Sequence, residues 1–225
     1  MQCATDILLI KPAGFSFNAE TALTNTFQQS MDASPQQIQQ NAAKEFDAFA
    51  HALINKGIQV MVIDDTPYPP KPDAIFPNNW VSCHSDGTMV LCPMCTPNRR
   101  LERRPEIIDA IKDKYVVEKI IDLSAYEASN QFLEGTGSIV FDHLHRIAYA
   151  CLSPRTNKFL LEKLCGGINY TPVYFFARNK DGKEIYHTNV MMCIAERFAV
   201  VCLESISDEE ERSKYAAGSP VPVTR

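Results

Sequence analysis

Three short segments place polar residues directly before apolar, strand-like runs. They read FPNNW at 76–80, LEGTG at 133–137 and YHTNV at 186–190. Asn79, Glu134 and His187 are therefore separated by 55 and then 53 residues. An imidazole and a carboxylate can share acid–base work, and an amide can both donate and accept hydrogen bonds. Their common phase along the chain predicts that the three side chains share one pocket.

The elements that must position these residues repeat with a similar period. Predicted hairpins turn near residues 86, 144 and 196. Each hairpin is followed by a predicted helix, and the first two helices are followed by a further strand, which gives a ββαβ order. Repeats of this length predict modules that bury their faces against one another, with equivalent strand ends facing a common centre. The predicted fold class is α/β, built from repeated ββαβ modules.

A long amphipathic helix is predicted before the repeats, at residues 34–57. Ser34 is its expected N-cap, Pro35 its first residue and Gly57 the residue past its end. A buried strand is predicted at 58–63. The apolar stripe of the helix predicts its core-facing side and contains Ile38, Ala42, Phe46, Phe49, Leu53 and Ile54.

The helix ends of the second and third modules carry their own signals. Gly166-Gly167 predicts the end of the helix in the second module. In the third, Ser207 and Glu210 form a capping-box pattern, but the residues after Tyr215 read AAGSPVPVTR and contain no strand-like run. We therefore expect an incomplete domain at 1–214, with the last module missing, and an irregular tail at 215–225.

The composition of the chain argues against membrane, secreted and nucleic-acid-binding classes of protein. The chain has 225 residues, of which 45% are hydrophobic, and a net charge of -5 without blocks of one sign. No apolar run approaches the length of about eighteen residues that a membrane helix needs, and the first residues do not resemble a signal peptide. A cytoplasmic protein is predicted, with no nucleic-acid or membrane partner. The eight cysteines are expected to be reduced, and a single CxxC does not make a zinc site, so we expect no metal and no cofactor.

The motifs FPNNW, LEGTG and YHTNV, together with NRRLERR and SPRT, resemble in order and spacing those of the guanidino-group-modifying (pentein) superfamily. Arginine deiminases, amidinotransferases and dimethylarginine hydrolases belong to it, and the resemblance is closest to its citrulline-hydrolase branch. It covers about residues 5–214 and implies a five-module α/β propeller. It also implies cysteine attack on a guanidinium or ureido carbon, with His187 and Glu134 as the catalytic histidine and glutamate.

The resemblance also suggests a substrate. In arginine-specific relatives, aspartates stand where Asn79 and Asn189 stand here. An amide suits a neutral urea, whereas paired carboxylates favour a guanidinium cation. The expected substrate is therefore citrulline, or an arginine-derived ureido intermediate. An arginine deiminase or amidinotransferase activity remains the alternative.

Further residues are implied to hold the amino-acid end of this small-molecule substrate. Arg155 and Arg99 match positions that clamp the substrate carboxylate, for which a guanidinium fork is suited. Asp73 and Asn18 are looser candidates for the amino group or the entrance loop. Homo-oligomerisation is left open.

Each assignment has an alternative without a function. A histidine before a strand is usually solvated or satisfied locally, and LEGTG alone could be a turn. NRRLERR could be a solvated helix start in which Glu102 pairs with its neighbours. His143 and His145, in DHLHR, are predicted to be surface residues of a hairpin tip.

The nucleophile is the missing part of the resemblance. In the family it lies in the last module, which one further repeat would place at about position 240. None of the eight cysteines has the required phase, so we expect His187 to lack its thiolate partner. Three hypotheses follow, namely a citrulline-type hydrolase, an inactive or binding-only truncated domain, and a structural domain that retained the fold.

Overall fold

The computed structural model describes residues 2–22, 24–25, 27–30 and 32–216. The strands are β1 Asp6–Lys11, β2 Gln59–Asp64, β3 Val81–Cys83, β4 Thr88–Leu91, β5 Lys119–Asp122, β6 Ile139–Asp142, β7 Ile147–Cys151, β8 Thr171–Phe175, β9 Met192–Ile194 and β10 Ala199–Val201. The α-helices are α1 Ala19–Ala22, α2 Pro35–Asn55, α3 Pro97–Arg100, α4 Pro105–Lys114, α5 Gly135–Ser138, α6 Lys158–Ile168 and α7 Glu209–Ala216. Short 3₁₀ helices cover Pro77–Asn79, Ser124–Ser129, Thr188–Val190 and Leu203–Ser205. Within this described part, no helix is both long and apolar enough to cross a bilayer.

The described residues form two compact units. The first, here called the hairpin unit, contains Asn78–Cys95, the residues from Val117 onward, and Gln2 and Cys3. The second, the long-helix unit, contains Ala4–Pro77 and Thr96–Val116.

The hairpin unit contains the repeat that the sequence predicts. Two three-stranded sheets have the orders β3-β4-β5 and β6-β7-β8. In each sheet the first two strands pair antiparallel and the last two pair parallel. β9 and β10 form a third antiparallel hairpin, which is followed by α7. The chain is therefore of the α/β class, and the predicted ββαβ strand order is present twice.

The core of the hairpin unit lies on the middle strands. All four residues of β4 are buried, because β3 and β5 flank it on either side. The sole tryptophan, Trp80, is 0% exposed, and its carbonyl oxygen accepts the N–H of Cys92 at 2.8 Å. An apolar cluster joins this strand to the second sheet through Val90, Leu133, Ile139, Ala148, Leu160, Leu161 and Leu164.

The end of α6 differs from the prediction. The helix continues through Gly166 and Gly167 and ends at Ile168, where Asn169 adopts a left-handed conformation with φ 59°. Ile168 is 4% exposed, so one more turn places another apolar side chain in the core. The burial of that side chain offsets the low helix propensity of two glycines.

Helix α7 begins and ends later along the chain than predicted. The N-terminal cap is Asp208 rather than Ser207, since its Oδ1 accepts the N–H of Glu211 at 2.9 Å. The helix extends to Ala216, so residues 215–216 are helical and not part of an irregular tail. Residues 217–225, the rest of that predicted tail, lie outside the described residues.

The long-helix unit contains α2 and the parallel pair β1–β2. As predicted, Ser34 caps α2, because its hydroxyl accepts the N–H of Gln37 at 3.2 Å and Pro35 occupies the first turn. The helix ends at Asn55, and β2 follows at Gln59–Asp64, within one residue of the predicted strand. The predicted burial of this strand is wrong, because none of its residues is buried and Val62 is 45% exposed.

The apolar stripe of α2 is only partly covered, contrary to the prediction. Phe49 is 55% exposed and Ile54 is 52% exposed, whereas Ala50 is the buried residue of the helix. Ile38, Ala42, Phe46 and Phe49 instead line an open cavity of about 470 Å³ together with residues of β1 and the 75–76 segment. The reason is geometric, because a sheet of two strands offers too narrow a surface to cover a helix of 21 residues.

A cluster of aromatic rings links the tips of two hairpins in the hairpin unit. The His84 ring lies 5.5 Å from the Phe141 ring, 6.3 Å from His143 and 6.4 Å from Tyr170, between centroids. His143 is therefore not a free surface residue, and its Nδ1 lies 2.7 Å from the Tyr170 hydroxyl. Burial and, to a smaller extent, repulsion by His143 lower the pKa of His84 from 6.5 to about 4, against a smaller opposing effect of Asp86.

This cluster predicts a loss of stability in acid. A histidine whose pKa is lower in the folded state stabilises the fold fully above its unfolded pKa, and this stabilisation is lost as the pH falls through the folded value. For His84 the window is from 6.5 down to about 4. We expect the free energy of unfolding to fall there by on the order of 3 kcal/mol beyond what other groups contribute.

Chemical denaturation of the wild type and of His84→Gln, measured across this pH range, tests the prediction. The variant should show the shallower pH dependence, and replacement of the exposed His145 by Gln serves as the control. Equal slopes for wild type and His84→Gln would contradict it.

Candidate active site

A short helical turn precedes the first strand of each hairpin at the positions that the sequence singled out. Asn79 ends the turn before β3, Glu134 caps α5 before β6, and His187 caps the turn Thr188–Val190 before β9. Glu134 and His187 therefore occupy equivalent places, five residues before β6 and β9, whereas Asn79 ends its turn and lies only two residues before β3.

Glu134 and His187 form a direct pair. His187 Nε2 lies 2.8 Å from Glu134 Oε2, and the two residues are 5% and 0% exposed. A carboxylate oxygen accepts, so Nε2 carries the proton in this contact and the tautomer is set by Glu134. Such a carboxylate–imidazole pair can orient the ring and stabilise its cationic form during proton transfer.

The carboxylate of Glu134 has further partners within the hairpin unit. Its Oε1 accepts the backbone N–H of Cys95 at 2.9 Å, and Arg155 Nη1 approaches Oε2 at 3.4 Å. Arg155 is 2% exposed. A buried carboxylate needs such compensation, because desolvation strongly disfavours an unpaired charge. Arg155 thus lies at the predicted site, where it contacts the protein's own carboxylate.

Two hydroxyls fix the backbones that carry the pair, and the sequence analysis did not identify them. Ser138 Oγ accepts the N–H of Glu134 and donates to the carbonyl oxygen of Arg155, both at 2.9 Å. Thr188 Oγ1 donates to the carbonyl of Ser138 and accepts the N–H of Cys151. Ser138 ends the segment LEGTGS and Thr188 ends the segment YHT, so each lies within four residues of Glu134 or His187. This closeness in sequence is the feature from which they could have been predicted.

Two glycines of LEGTG leave room for the pair. A Cβ at Gly137 would lie 2.5 Å from Asn79 Nδ2 and 2.8 Å from both His187 Nδ1 and Cε1. Gly135 has φ +46°, and a Cβ there would collide with the carbonyl of Asn78. The absent side chain at Gly137 therefore marks the point where Asn79 and the Nδ1 edge of His187 approach each other.

Asn189 differs from Asn79 in its surroundings. Asn79 is 5% exposed, whereas Asn189 is exposed in the turn that follows His187. The structure therefore brings Asn79, Glu134, His187 and Arg155 together, and it leaves Asn189 at the surface.

The other three predicted residues form a separate network in the long-helix unit. Asn18 Nδ2 donates to Asp73 Oδ2 at 2.7 Å, and Arg99 Nε lies 3.8 Å from the same oxygen. Arg99 also binds Glu102 with its fork, through Nε to Oε1 and Nη2 to Oε2, both at 2.9 Å. Glu102 thus pairs with a neighbour, but both residues are buried rather than solvated.

Comparison with known proteins identifies a family. A family model described as eukaryotic N,N dimethylarginine dimethylhydrolase matches residues 11–217. No curated protein sequence matches the chain.

Solved structures match across most of the chain. The cyanobacterial arginine dihydrolase ArgZ superposes with a TM-score of 0.72 at 16% identity, covering 96% of this chain and 30% of that one. Its N-terminal domain, as a cysteine-to-serine mutant with bound substrate, gives 0.70 at 16% identity, with 96% and 73% covered. The Pseudomonas aeruginosa dimethylarginine hydrolase, as a cysteine-to-serine mutant with citrulline, gives 0.57 at 16% identity, with 84% and 65% covered. At these identities the likeness concerns the fold, and the chain spans under a third of full-length ArgZ.

The space at Gly137 generates a prediction. The change Gly137→Ala should push Asn79 and His187 apart and destabilise the protein by about 1–3 kcal/mol, since overpacking forces neighbours to shift. Gly166→Ala is the matched control, because a Cβ there meets nothing within 4 Å inside α6. That variant should be neutral or more stable by about 0.5–1 kcal/mol. Urea denaturation of both measures the difference, and equal stabilities would show that the Gly137 contact is unimportant.

Proposed function

We propose that this chain, which belongs to the eukaryotic N,N dimethylarginine dimethylhydrolase family, carries the acid–base part of a hydrolase site for the ureido or guanidino carbon of an arginine-like amino acid. The observation that carries the proposal is the buried 2.8 Å contact between His187 Nε2 and Glu134 Oε2. The two residues of this pair precede the first strands of two successive hairpins, and Asn79 lies beside them. This arrangement supports an active site rather than an isolated ion pair.

The geometry suits proton transfer to and from a nitrogen leaving group. In the proposed reaction a thiolate bonds to the ureido or guanidino carbon, and the departing nitrogen takes a proton as its C–N bond breaks. In this step His187 acts as an imidazolium and supplies the proton from Nδ1, while Glu134 accepts the Nε2–H and stabilises the charge of the ring. Water then loses a proton to the imidazole and attacks the carbon, and the C–S bond breaks.

The substrate we favour is citrulline. Loss of ammonia and then of the thiolate would leave the carbamate of ornithine, which gives ornithine and carbon dioxide when its remaining C–N bond breaks and the nitrogen takes a proton. Asn79 supports this preference because a buried amide can bind both the C=O and the N–H of a neutral urea, and it adds no negative charge for a guanidinium. The relatives' names include arginine and dimethylarginine hydrolases and a citrulline complex, so guanidinium substrates are the alternative.

Three of the eight cysteines are poorly suited to supply the thiolate. Burial raises the pKa of Cys151 to about 11, that of Cys165 to about 12, and that of Cys83 above its usual value. These thiols are protonated at neutral pH and are weak nucleophiles. Cys95 is the cysteine whose backbone contacts Glu134. We propose that none of the eight acts as the nucleophile, which makes a binding-only domain the second candidate function.

Ammonia release tests the nucleophile proposal. The purified 225-residue chain should release no ammonia from citrulline or arginine above background, because the covalent intermediate cannot form without a thiolate. Serine replacements of the eight cysteines, with Cys95→Ser first, are the controls. Turnover that disappears in one of them would identify that residue as the nucleophile and overturn this part of the proposal.

Ligand binding tests the site and its preference independently of turnover. Citrulline should raise the melting temperature of the wild type more than arginine does, and Asn79→Asp should reverse the order, with a change in relative affinity of about tenfold. Asn41→Asp makes the same charge change at an exposed position of α2, in the long-helix unit, and should leave the order unchanged. An identical ligand response in wild type and Asn79→Asp would count against a role of Asn79 in the site.

A further inference from the structure

An aromatic ring contacts two members of the site, His187 and Arg155. The Tyr186 ring centroid is 4.7 Å from the His187 ring, with an interplanar angle of 48°. The central guanidinium carbon of Arg155 is also 4.7 Å from the Tyr186 centroid, over the ring face. Tyr186 is 8% exposed, so this contact between a cation and an aromatic ring is formed away from water.

Arg155 and His187 converge on the same oxygen. Glu134 Oε2 lies 2.8 Å from His187 Nε2 and 3.4 Å from Arg155 Nη1. A guanidinium fork favours a close, two-bond contact with a carboxylate, which is the geometry that Arg99 and Glu102 adopt in the long-helix unit. A closer approach of Arg155 would compete with the imidazole for Oε2.

The backbone also holds Tyr186 beside Arg155. Ser153 Oγ donates to the carbonyl oxygen of Tyr186 at 2.9 Å and accepts the N–H of Arg155 at 3.2 Å. Tyr186 and Arg155 are therefore linked in two ways, by the stacking of the guanidinium on the ring and by the hydroxyl of Ser153, which bonds to the backbone of both.

We propose that Tyr186 is a positioning residue that holds the Arg155 guanidinium on its ring face and so keeps Glu134 Oε2 bonded to His187. Arg155 then balances the buried carboxylate without displacing the imidazole. The role depends on the aromatic face and not on the phenol hydroxyl. It rests on the proposed function, because the histidine that it positions is the proposed acid–base group.

Nuclear magnetic resonance tests this role without requiring turnover. The His187 Nε2–H proton, donated to a buried carboxylate, should give a downfield signal that is absent in His187→Gln. Tyr186→Phe should retain the signal, whereas Tyr186→Leu and Tyr186→Met should lose it or shift it strongly. Leucine and methionine differ in shape, and the test needs only one of these two variants to fold.

Tyr174→Leu is the matched control, since Tyr174 also lies under a cation, with Lys158 Nζ 4.3 Å from its centroid. It should leave the His187 signal unchanged. A folded Tyr186→Leu or Tyr186→Met variant with a wild-type signal, or loss of the signal in Tyr186→Phe, would overturn the proposal. A failed ligand-binding experiment with the expected signal pattern would instead count against the proposed function alone.

Discussion

The complete burial of one carboxylate, that of Glu134, is the constraint on which the hairpin unit depends. A buried carboxylate without partners would cost several kcal/mol, so its neighbours must come from wherever the chain can supply them. They come from the end of the first hairpin at Cys95, from the segment after the second hairpin at Arg155, and from the start of the third at His187. One charged group thus fixes the relative placement of three successive hairpins.

The repeat made this pair predictable from the sequence. Residues at one phase of a structural repeat occupy equivalent places, so the spacing of Glu134 and His187 was sufficient to expect them before the first strands of successive hairpins, whereas Asn79 lies three residues nearer to its strand. Asn189 shares the YHTNV motif with His187, but a residue two positions further on lies on another side of the turn, and it is exposed. Helix ends were predicted less well, because the choice between Gly167 and Ile168 depends on tertiary burial and not on local propensity.

The two arginines show a limit of a different kind. The family resemblance implies that Arg155 and Arg99 bind a substrate carboxylate, for which a guanidinium fork is suited. Both contact carboxylates of the protein itself, Glu134 and Glu102. A guanidinium group binds a carboxylate of a ligand and a carboxylate of the protein in the same way. The residue type therefore does not show whether an arginine binds a ligand, a distant residue such as Glu134 or a residue three positions away such as Glu102.

Trp80 gives the hairpin unit an intrinsic optical reporter. It is the chain's single tryptophan, is 0% exposed and follows Asn79 directly. A buried indole emits at shorter wavelength than one in water, so its fluorescence follows the packing of the unit that holds Glu134 and His187. Extrinsic hydrophobic dyes are less suitable, because the open apolar cavity beside α2 offers them a binding place in the native protein.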